Sequence, residues 1–158
     1  MRVSTIVLLA AVVFGAASPA SSAPTSSDAT HLAVARRMIA DWKARDWRSA
    51  ADLFAIDGAL HSMMDAPITG REAIYKRFAA LGAGIDSITL DVSHLGVIDH
   101  RVYMERVDRF VYHGKPGAVP VVGVLSFDGN KIAEWREYYD RAQLVSEMGA
   151  NPPVKTPN

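Results

Sequence analysis

The chain has 158 residues, 49% of them hydrophobic, and its 17 basic residues balance its 17 acidic ones. This composition predicts one folded domain with a real core, and the charge balance gives no sign of a nucleic-acid or anionic-membrane partner. Because there is no cysteine, disulfides, thiolate metal sites and lipidated cysteine are excluded.

The N-terminus has the pattern of an export signal at residues 1–23. Arg2 precedes an apolar run at 6–17, and small residues follow. The run of 12 residues is shorter than the roughly 20 that a spanning helix needs, so an uncleaved anchor is the weaker alternative. We therefore expect cleavage after Ala20 or Ala23, no stable membrane insertion of the mature protein, and a secreted or periplasmic location.

A polar linker at 24–29 precedes three predicted helices, which are indicated by the helical spacing of their apolar residues. These helices cover about 31–42, 47–54 and 71–81. Between the second and the third, the Asp57-Gly58 pair predicts a turn that leads into a short strand at 59–63. Proline and glycine then predict a loop over 67–70.

From residue 88 the hydrophobic period changes to two, which predicts strands. The strands cover about 88–93, 102–112, 118–127 and 131–140, and the turns between them fall at 99–100, 114–117 and 128–130. A short helix at 141–148 and a loose tail at 149–158 follow. We therefore predict one α+β domain over 30–148, in which three helices precede a curled antiparallel sheet.

Two of the predicted strands carry charged side chains on a face that is otherwise apolar. Alternation places Arg106 and Asp108 together on one face, and it leaves Glu137 alone between Trp135 and Tyr139. Buried charges are costly unless they are paired, so three such groups pointing inward indicate a site. Two carboxyl groups in unlike surroundings can divide into a proton donor and a proton acceptor, with a guanidinium to orient them.

The alternative is a surface ion pair of little consequence. The opposite face of the same strand also carries charge, at Glu105 and Arg109, so alternation alone does not decide which face is inside. The five histidines show no metal-ligand spacing, and the 128–130 turn lacks the alternating carboxylates of a calcium loop. We expect neither a metal nor a cofactor.

Four short segments in the second half of the chain carry a resemblance. They are YMERVD at 103–108, PVVGV at 120–124, KI at 131–132 and WREYYD at 135–140. Together they resemble limonene-1,2-epoxide hydrolases, which belong to a cone-shaped group with nuclear transport factor 2 (NTF2), ketosteroid isomerase and SnoaL-type polyketide cyclases. The resemblance runs from about Ala29 to Leu144. It implies an NTF2-like cone, with a curved antiparallel sheet and about three N-terminal helices around an apolar pocket, often in a homodimer.

The resemblance also implies roles for individual residues. Asp108 matches the acid that donates a proton to the epoxide oxygen, Arg106 matches the bridging arginine, and Glu137 falls where the family has the aspartate that takes a proton from water. The implied reaction is one step, without a covalent intermediate, metal or cofactor. The implied pocket wall consists of Leu81, Ile85, Phe110, Val119, Val121, Trp135, Tyr139 and Leu144.

The chain departs from the family on the first strand. There the family holds the water with a tyrosine and an asparagine, and these positions fall on Leu60 and Ser62. Ser62 can still form a hydrogen bond, whereas Leu60 cannot. His61 could substitute only if the strand shifted by one residue, which would move it to the pocket face. Glu137 is also one methylene longer than the family's aspartate.

These observations lead to one expected function and two alternatives. The expected function is an exported, cofactor-independent hydrolase that opens small apolar epoxides to diols. The first alternative is a non-catalytic protein that binds a lipophilic molecule or supports a dimer. The second is an isomerase or cyclase of the SnoaL or ketosteroid isomerase kind on the same fold, because fold alone does not choose among these functions.

Overall fold

A computed structural model describes residues 26–149 of the chain. The predicted export signal and the last nine positions of the predicted tail lie outside the described residues. In chain order the elements are α1 (Ser26–Ala44), α2 (Trp47–Asp52), β1 (Phe54–Ser62), β2 (Ile68–Thr69), α3 (Arg71–Gly82), β3 (Ile85–Ile98), β4 (Arg101–Tyr112), β5 (Lys115–Asp128), β6 (Lys131–Tyr138) and α4 (Arg141–Glu147).

The six strands form one curved sheet that does not close into a barrel, in the order β2-β1-β6-β5-β4-β3. The predicted α+β fold with N-terminal helices is confirmed. The prediction of a purely antiparallel sheet is wrong, because β1 runs parallel to β6 while the other neighbouring pairs are antiparallel. The chain leaves β1 through α3 and three long strands before β6 returns beside it, and local hydrophobic periodicity contains no information about that pairing.

The first helix and the first strand are both longer than predicted. Helix α1 begins at Ser26, so residues 26–29 of the predicted linker are helical, with Asp28 in the first turn where a negative charge favours the helix dipole. Strand β1 begins at Phe54 and passes through the predicted Asp57-Gly58 turn. Its pairing with β6 is irregular at this point, so the pair lies in a bulge rather than a turn.

Tight turns connect the four long strands. Asp99 and His100 both have positive φ, as do His113 and Gly114, which is the backbone that two-residue hairpins favour. The predicted turn at 99–100 is confirmed, and so is the one at 128–130. The predicted turn at 114–117 is shorter than expected, because β5 already begins at Lys115.

The core lies between the helices and the concave face of the sheet. Helix α1 buries Met38 and Trp42 there. The indole ring of Trp42 makes edge contacts with the rings of Phe78 and Trp135, and Trp135 also stacks on Phe54. These aromatic rings form part of the buried core beneath the sheet. Within residues 26–149, no helix combines the length and the apolar character that crossing a membrane requires.

Candidate active site

Arg106 and Asp108 of β4 lie on the concave face of the sheet, as the apolar neighbours of Arg106 had suggested. Arg106 is 3% exposed, between Met104 and Phe110, which are both buried. Glu105 and Arg109, on the opposite face of the strand, are exposed. The alternative of a surface ion pair at Arg106 is therefore wrong, and the strand delivers a guanidinium into the interior.

The guanidinium of Arg106 bridges the two predicted carboxyl groups. Its Nε donates to Oδ1 of Asp108 at 2.7 Å, and its Nη2 donates to Oδ2 of the same residue at 3.1 Å. The same Nη2 also donates to Oε1 of Glu137, which β6 brings alongside from the other side of β5. The structure thus brings the three residues together in one hydrogen-bonded group.

Burial acts in opposite directions on the pKa of Glu137 and on the pKa of Arg106. Desolvation raises the pKa of Glu137, and Arg106 opposes the rise while Asp108 adds to it. Desolvation lowers the pKa of Arg106, but the carboxylates of Glu137 and Asp108 outweigh it, so the guanidinium stays charged. A group with one cation and two acids is neutral when the acids share one proton. Low-dielectric surroundings favour that state, which contains one acid and one base.

A cavity of about 350 Å³ opens above the three residues. Arg106, Asp108 and Glu137 form its floor. Ser62 and seven of the eight predicted wall residues line it, namely Leu81, Ile85, Phe110, Val119, Val121, Tyr139 and Leu144. The exposed members of its lining, which include Asp65, Arg77 and Arg141, mark the mouth. The cavity is therefore polar at the floor, apolar along the walls and charged at the entrance.

Trp135 is the predicted wall residue that does not line the cavity. Its side chain is fully buried beneath the floor, with the ring centroid 5.4 Å from Cζ of Arg106. Period-two alternation placed it correctly on the concave face, but the guanidinium and the aromatic cluster cover it. Trp135 thus contacts the charged group rather than the cavity.

The first strand keeps the register in which Leu60 and Ser62 face inward. Ser62 lies opposite Glu137 in the β1–β6 pairing, and its Oγ accepts a hydrogen bond from the hydroxyl of Tyr139 at 3.1 Å. His61 is on the other face, where its Nδ1 lies 3.4 Å from Oε1 of Glu134. The one-residue shift that would bring His61 into the cavity does not occur.

On the C-terminal side of the cavity the sequence predicted Leu144 alone, and on α1 it predicted no lining residue. Val145 and Met148 of the C-terminal segment line the cavity beside Leu144, and the mouth is bridged where Nη1 of Arg141 donates to Oδ1 of Asp65 at 2.8 Å. Trp42 of α1 also lines the cavity. The helical spacing of the apolar residues in α4 was the available signal, since it marks one face of the helix as inward.

The arrangement can perform acid–base chemistry on an apolar molecule. A proton donor and a proton acceptor flank one fixed guanidinium, and Ser62 offers a hydroxyl beside the second of them. Among residues 26–149 there is no group of three or more histidine, aspartate or glutamate side chains placed to hold a metal ion.

Comparison with known proteins gives one family and several solved structures. The family of SnoaL-like domains matches residues 35–135. A protein of ketosteroid isomerase-like fold from Catenulispora acidiphila is 26% identical, with a TM-score of 0.68 over 78% of this chain and 97% of that one. An LEH-like epoxide hydrolase from M. tuberculosis is 15% identical, with a TM-score of 0.68 over 77% and 90%. A putative SnoaL-like polyketide cyclase from Shewanella denitrificans is 18% identical, with a TM-score of 0.66 over 75% and 96%.

Proposed function

The chain belongs to the family of SnoaL-like domains, and we propose that within this family it is an exported, cofactor-independent hydrolase of small apolar epoxides. The observation that carries the proposal is the bridging of two carboxyl groups by Arg106 at the floor of an apolar cavity. Opening an epoxide with water needs an acid at the oxygen and a base at the water, and the floor offers one group for each task.

The proposed reaction takes place in one step. Asp108 donates its proton to the epoxide oxygen as the carbon–oxygen bond breaks. A water oxygen forms the new bond to that carbon, and Glu137 takes a proton from the water. The product is a diol, Asp108 is left ionised and Glu137 protonated, and transfer of one proton from Glu137 to Asp108 restores the reactive state. Arg106 stays charged throughout and holds both acids.

The surroundings of the two acids support this division of roles. Asp108 pairs with Val119 across β4 and β5 and lies next to the apolar walls, where the body of an epoxide fits. Glu137 lies opposite Ser62, whose Oγ accepts from Tyr139 and so keeps its own proton free to donate to a water. Burial raises the pKa of Glu137 and so favours the shared proton on this acid before substrate binds. The proposed roles require that proton to pass to Asp108, and the ionised Glu137 is then a stronger base than an ordinary carboxylate.

The experiment measures conversion of a panel of small epoxides by the purified mature protein in H₂¹⁸O. We expect one ¹⁸O atom per diol and a loss of about 100-fold or more in rate for Asp108→Asn and for Glu137→Gln. Asp91→Asn is the matched control, because Asp91 forms an exposed ion pair with Arg109 on the outer side of the same sheet. If wild type and Asp108→Asn release diol equally slowly, the proposal is wrong.

A second candidate is a non-catalytic protein that binds a lipophilic molecule. Leu60 favours it, because this leucine leaves Ser62 as the one hydrogen-bonding side chain that β1 contributes to the described cavity lining. Native mass spectrometry of protein from its own host distinguishes the two: a retained apolar molecule without turnover supports binding alone. Incorporation of solvent deuterium into a carbonyl substrate without hydration indicates an isomerase or cyclase instead.

Export and association complete the proposal. The pattern at 1–23 supports export to the periplasm or the medium, and the mass of the mature protein from its host tests it. We also propose a homodimer. Its support is the resemblance described above and an apolar patch on the convex face of the sheet, formed by Ile98, Val122 and Tyr138.

A further inference from the structure

Gly123 lies at the centre of the floor, where a side chain would meet the charged group. It is buried on the concave face of β5, opposite Met104 on β4 and Glu137 on β6. A Cβ placed there would lie 2.8 Å from Nη1 of Arg106 and 2.9 Å from Nε1 of Trp135. Both distances are shorter than a Cβ can approach another heavy atom, so the space of the missing side chain is already filled.

Neither neighbour can move aside freely. Arg106 is held through Nε and Nη2 by Asp108 and Glu137, and its guanidinium lies over the ring of Trp135. Trp135 is itself fully buried against Trp42 and Phe54. The guanidinium is therefore fixed on one side by two acids and on the other by the β5 backbone and an indole ring.

The buried donors on this side have no partner of their own. Nη1 of Arg106 and Nε1 of Trp135 are both buried without a hydrogen-bond acceptor within residues 26–149, and both face Gly123. Among the described residues no polar group contacts the guanidinium from this side, and there it packs on the β5 backbone and on the ring of Trp135. A shift of the β5 backbone at Gly123, or of the Trp135 ring, would therefore move Arg106 directly.

We propose that Gly123 and Trp135 are positioning residues, which set the depth of the Arg106 guanidinium and thereby the placement of Asp108 and Glu137. This role explains why the site needs glycine at position 123, because the limit is packing space rather than backbone conformation. In this proposal Trp135 packs under the Arg106 guanidinium, whereas the sequence had predicted that it contacts the substrate. Only the catalytic consequence rests on the function proposed above, because the positioning itself is a property of the fold.

The test is Gly123→Ala, read by NMR of the arginine side chains in ¹⁵N-labelled protein. The Nε–H of Arg106 is buried and donates to Asp108 at 2.7 Å, so its signal should exchange slowly with solvent and disappear in Arg106→Lys. We expect exchange of this signal to be at least about tenfold faster in Gly123→Ala. In turnover, kcat should fall by about 10–100-fold with KM within about twofold, since small misplacements are costly in the chemical step.

Gly117→Ala is the matched control for crowding. Gly117 is on the same strand and the same face, and a Cβ there would lie 2.7 Å from the ring of Phe110, away from Arg106. It should lower stability without changing the Arg106 signal. If folded Gly123→Ala keeps the slow Arg106 exchange, or if Gly117→Ala loses it equally, the proposal is wrong.

A second variant covers the case in which Gly123→Ala does not fold. Trp135→Phe keeps an aromatic ring but removes Nε1 and part of the surface under the guanidinium, so the Arg106 signal should again exchange faster. An unchanged signal overturns the role of Trp135. If wild type turns over no epoxide, the NMR result still decides the positioning while the hydrolase proposal fails separately.

Discussion

Glu137 is held between two opposing influences, and the balance between them has a consequence for stability. Burial favours the neutral form of its carboxyl group, while the guanidinium of Arg106 favours the charged form. Because burial dominates, the folded protein holds this proton more tightly than the unfolded chain does. The group therefore links folding to pH in the direction opposite to an ordinary salt-bridged acid.

We predict that wild type loses stability relative to Glu137→Gln as pH rises from about 4 towards 7. A raised pKa in the folded state contributes stability that is present at low pH and is lost as the group ionises. The glutamine keeps the shape and an acceptor for Arg106 but cannot ionise. Urea unfolding of both proteins across this range gives the difference in unfolding free energy at each pH.

Glu72→Gln provides a control of opposite sign. The hydrogen bond from Arg48 lowers the pKa of Glu72, so wild type should gain stability relative to this variant as pH rises through the carboxyl range. The test subtracts the unfolding free energy of Glu137→Gln from that of wild type at each pH. If this difference stays constant or increases as pH rises, the carboxyl of Glu137 is not desolvated in the folded protein.

At the residue scale, the sequence predicted the three charged residues of the floor better than it predicted the residues that pack against them. Alternation placed Arg106 and Asp108 on one face and Glu137 among apolar neighbours, because a period of two is a local property, and the family resemblance joined the three residues into one group. The contact of Gly123 with Arg106 could not be predicted in this way. It depends on the rotamers of side chains from three strands, and a glycine shows no pattern of its own.

At the scale of elements, α4 closes one side of the cavity although none of its residues is fully buried. Its N-cap is Asp140, whose Oδ1 accepts from the backbone N–H groups of Ala142 and Gln143 at 2.8 and 3.1 Å. Helix α2 has a similar cap, where Asp46 accepts from the backbone of Ser49 at 3.0 Å. The two helices differ in that α2 has buried alanines and no residue in the cavity lining.

We predict that Asp140→Ala weakens binding in the cavity with little effect on stability, and that Asp46→Ala lowers stability with no effect on binding. An N-cap is worth about 1 kcal/mol, so loss of the α4 cap should weaken binding of 8-anilinonaphthalene-1-sulfonate by about fivefold. Because α4 buries little, the unfolding free energy should change by less than about 0.5 kcal/mol. Asp46→Ala should lower the unfolding free energy by about 1 kcal/mol and leave the affinity for the dye unchanged.

Dye titration and urea unfolding of the two variants measure these effects. Equal losses of dye affinity in both variants would mean that α4 does not close the cavity specifically. A large loss of stability in Asp140→Ala would mean that α4 belongs to the cooperative core.

Elements with local signals were predicted well, and those that depend on distant pairing were not. The helix at 141–148 is confirmed as Arg141–Glu147, because capping and apolar spacing lie within the segment itself. Strand β1 was predicted short because Asp57-Gly58 has the composition of a turn. In the fold that pair is a bulge against β6, where a Cβ on Gly58 would lie 2.8 Å from the carbonyl oxygen of Ile132.

At the scale of the whole molecule, the two faces of the sheet differ in what covers them. The concave face is covered by helices and contains the charged floor. On the convex face the apolar patch stays open to solvent: Ile98 is 59% exposed, Val122 41% and Tyr138 43%. Val122 and Tyr138 are directly opposite each other in the β5–β6 pairing, Ile98 lines the same shallow depression as Val122, and the exposed Glu105, which pairs with Val122 on β4, lies between the strands of the patch. Exposed apolar patches of this kind favour association, and a second copy presents the same patch.

We predict that the mature protein sediments as a dimer and that Val122→Asp weakens the dimer by about 100-fold or more. A second carboxylate at position 122, beside that of Glu105, would have to be desolvated on association, with the same charges facing it across a two-fold interface. Ile56→Asp is the matched control, because Ile56 is 81% exposed on β1, away from the patch, and should leave the dimer intact. Sedimentation velocity over a dilution series measures both. A wild type that remains monomeric, or equal dissociation of both variants, would rule out this face as the interface. Activity retained in monomeric Val122→Asp would further show that the cavity is complete within one chain.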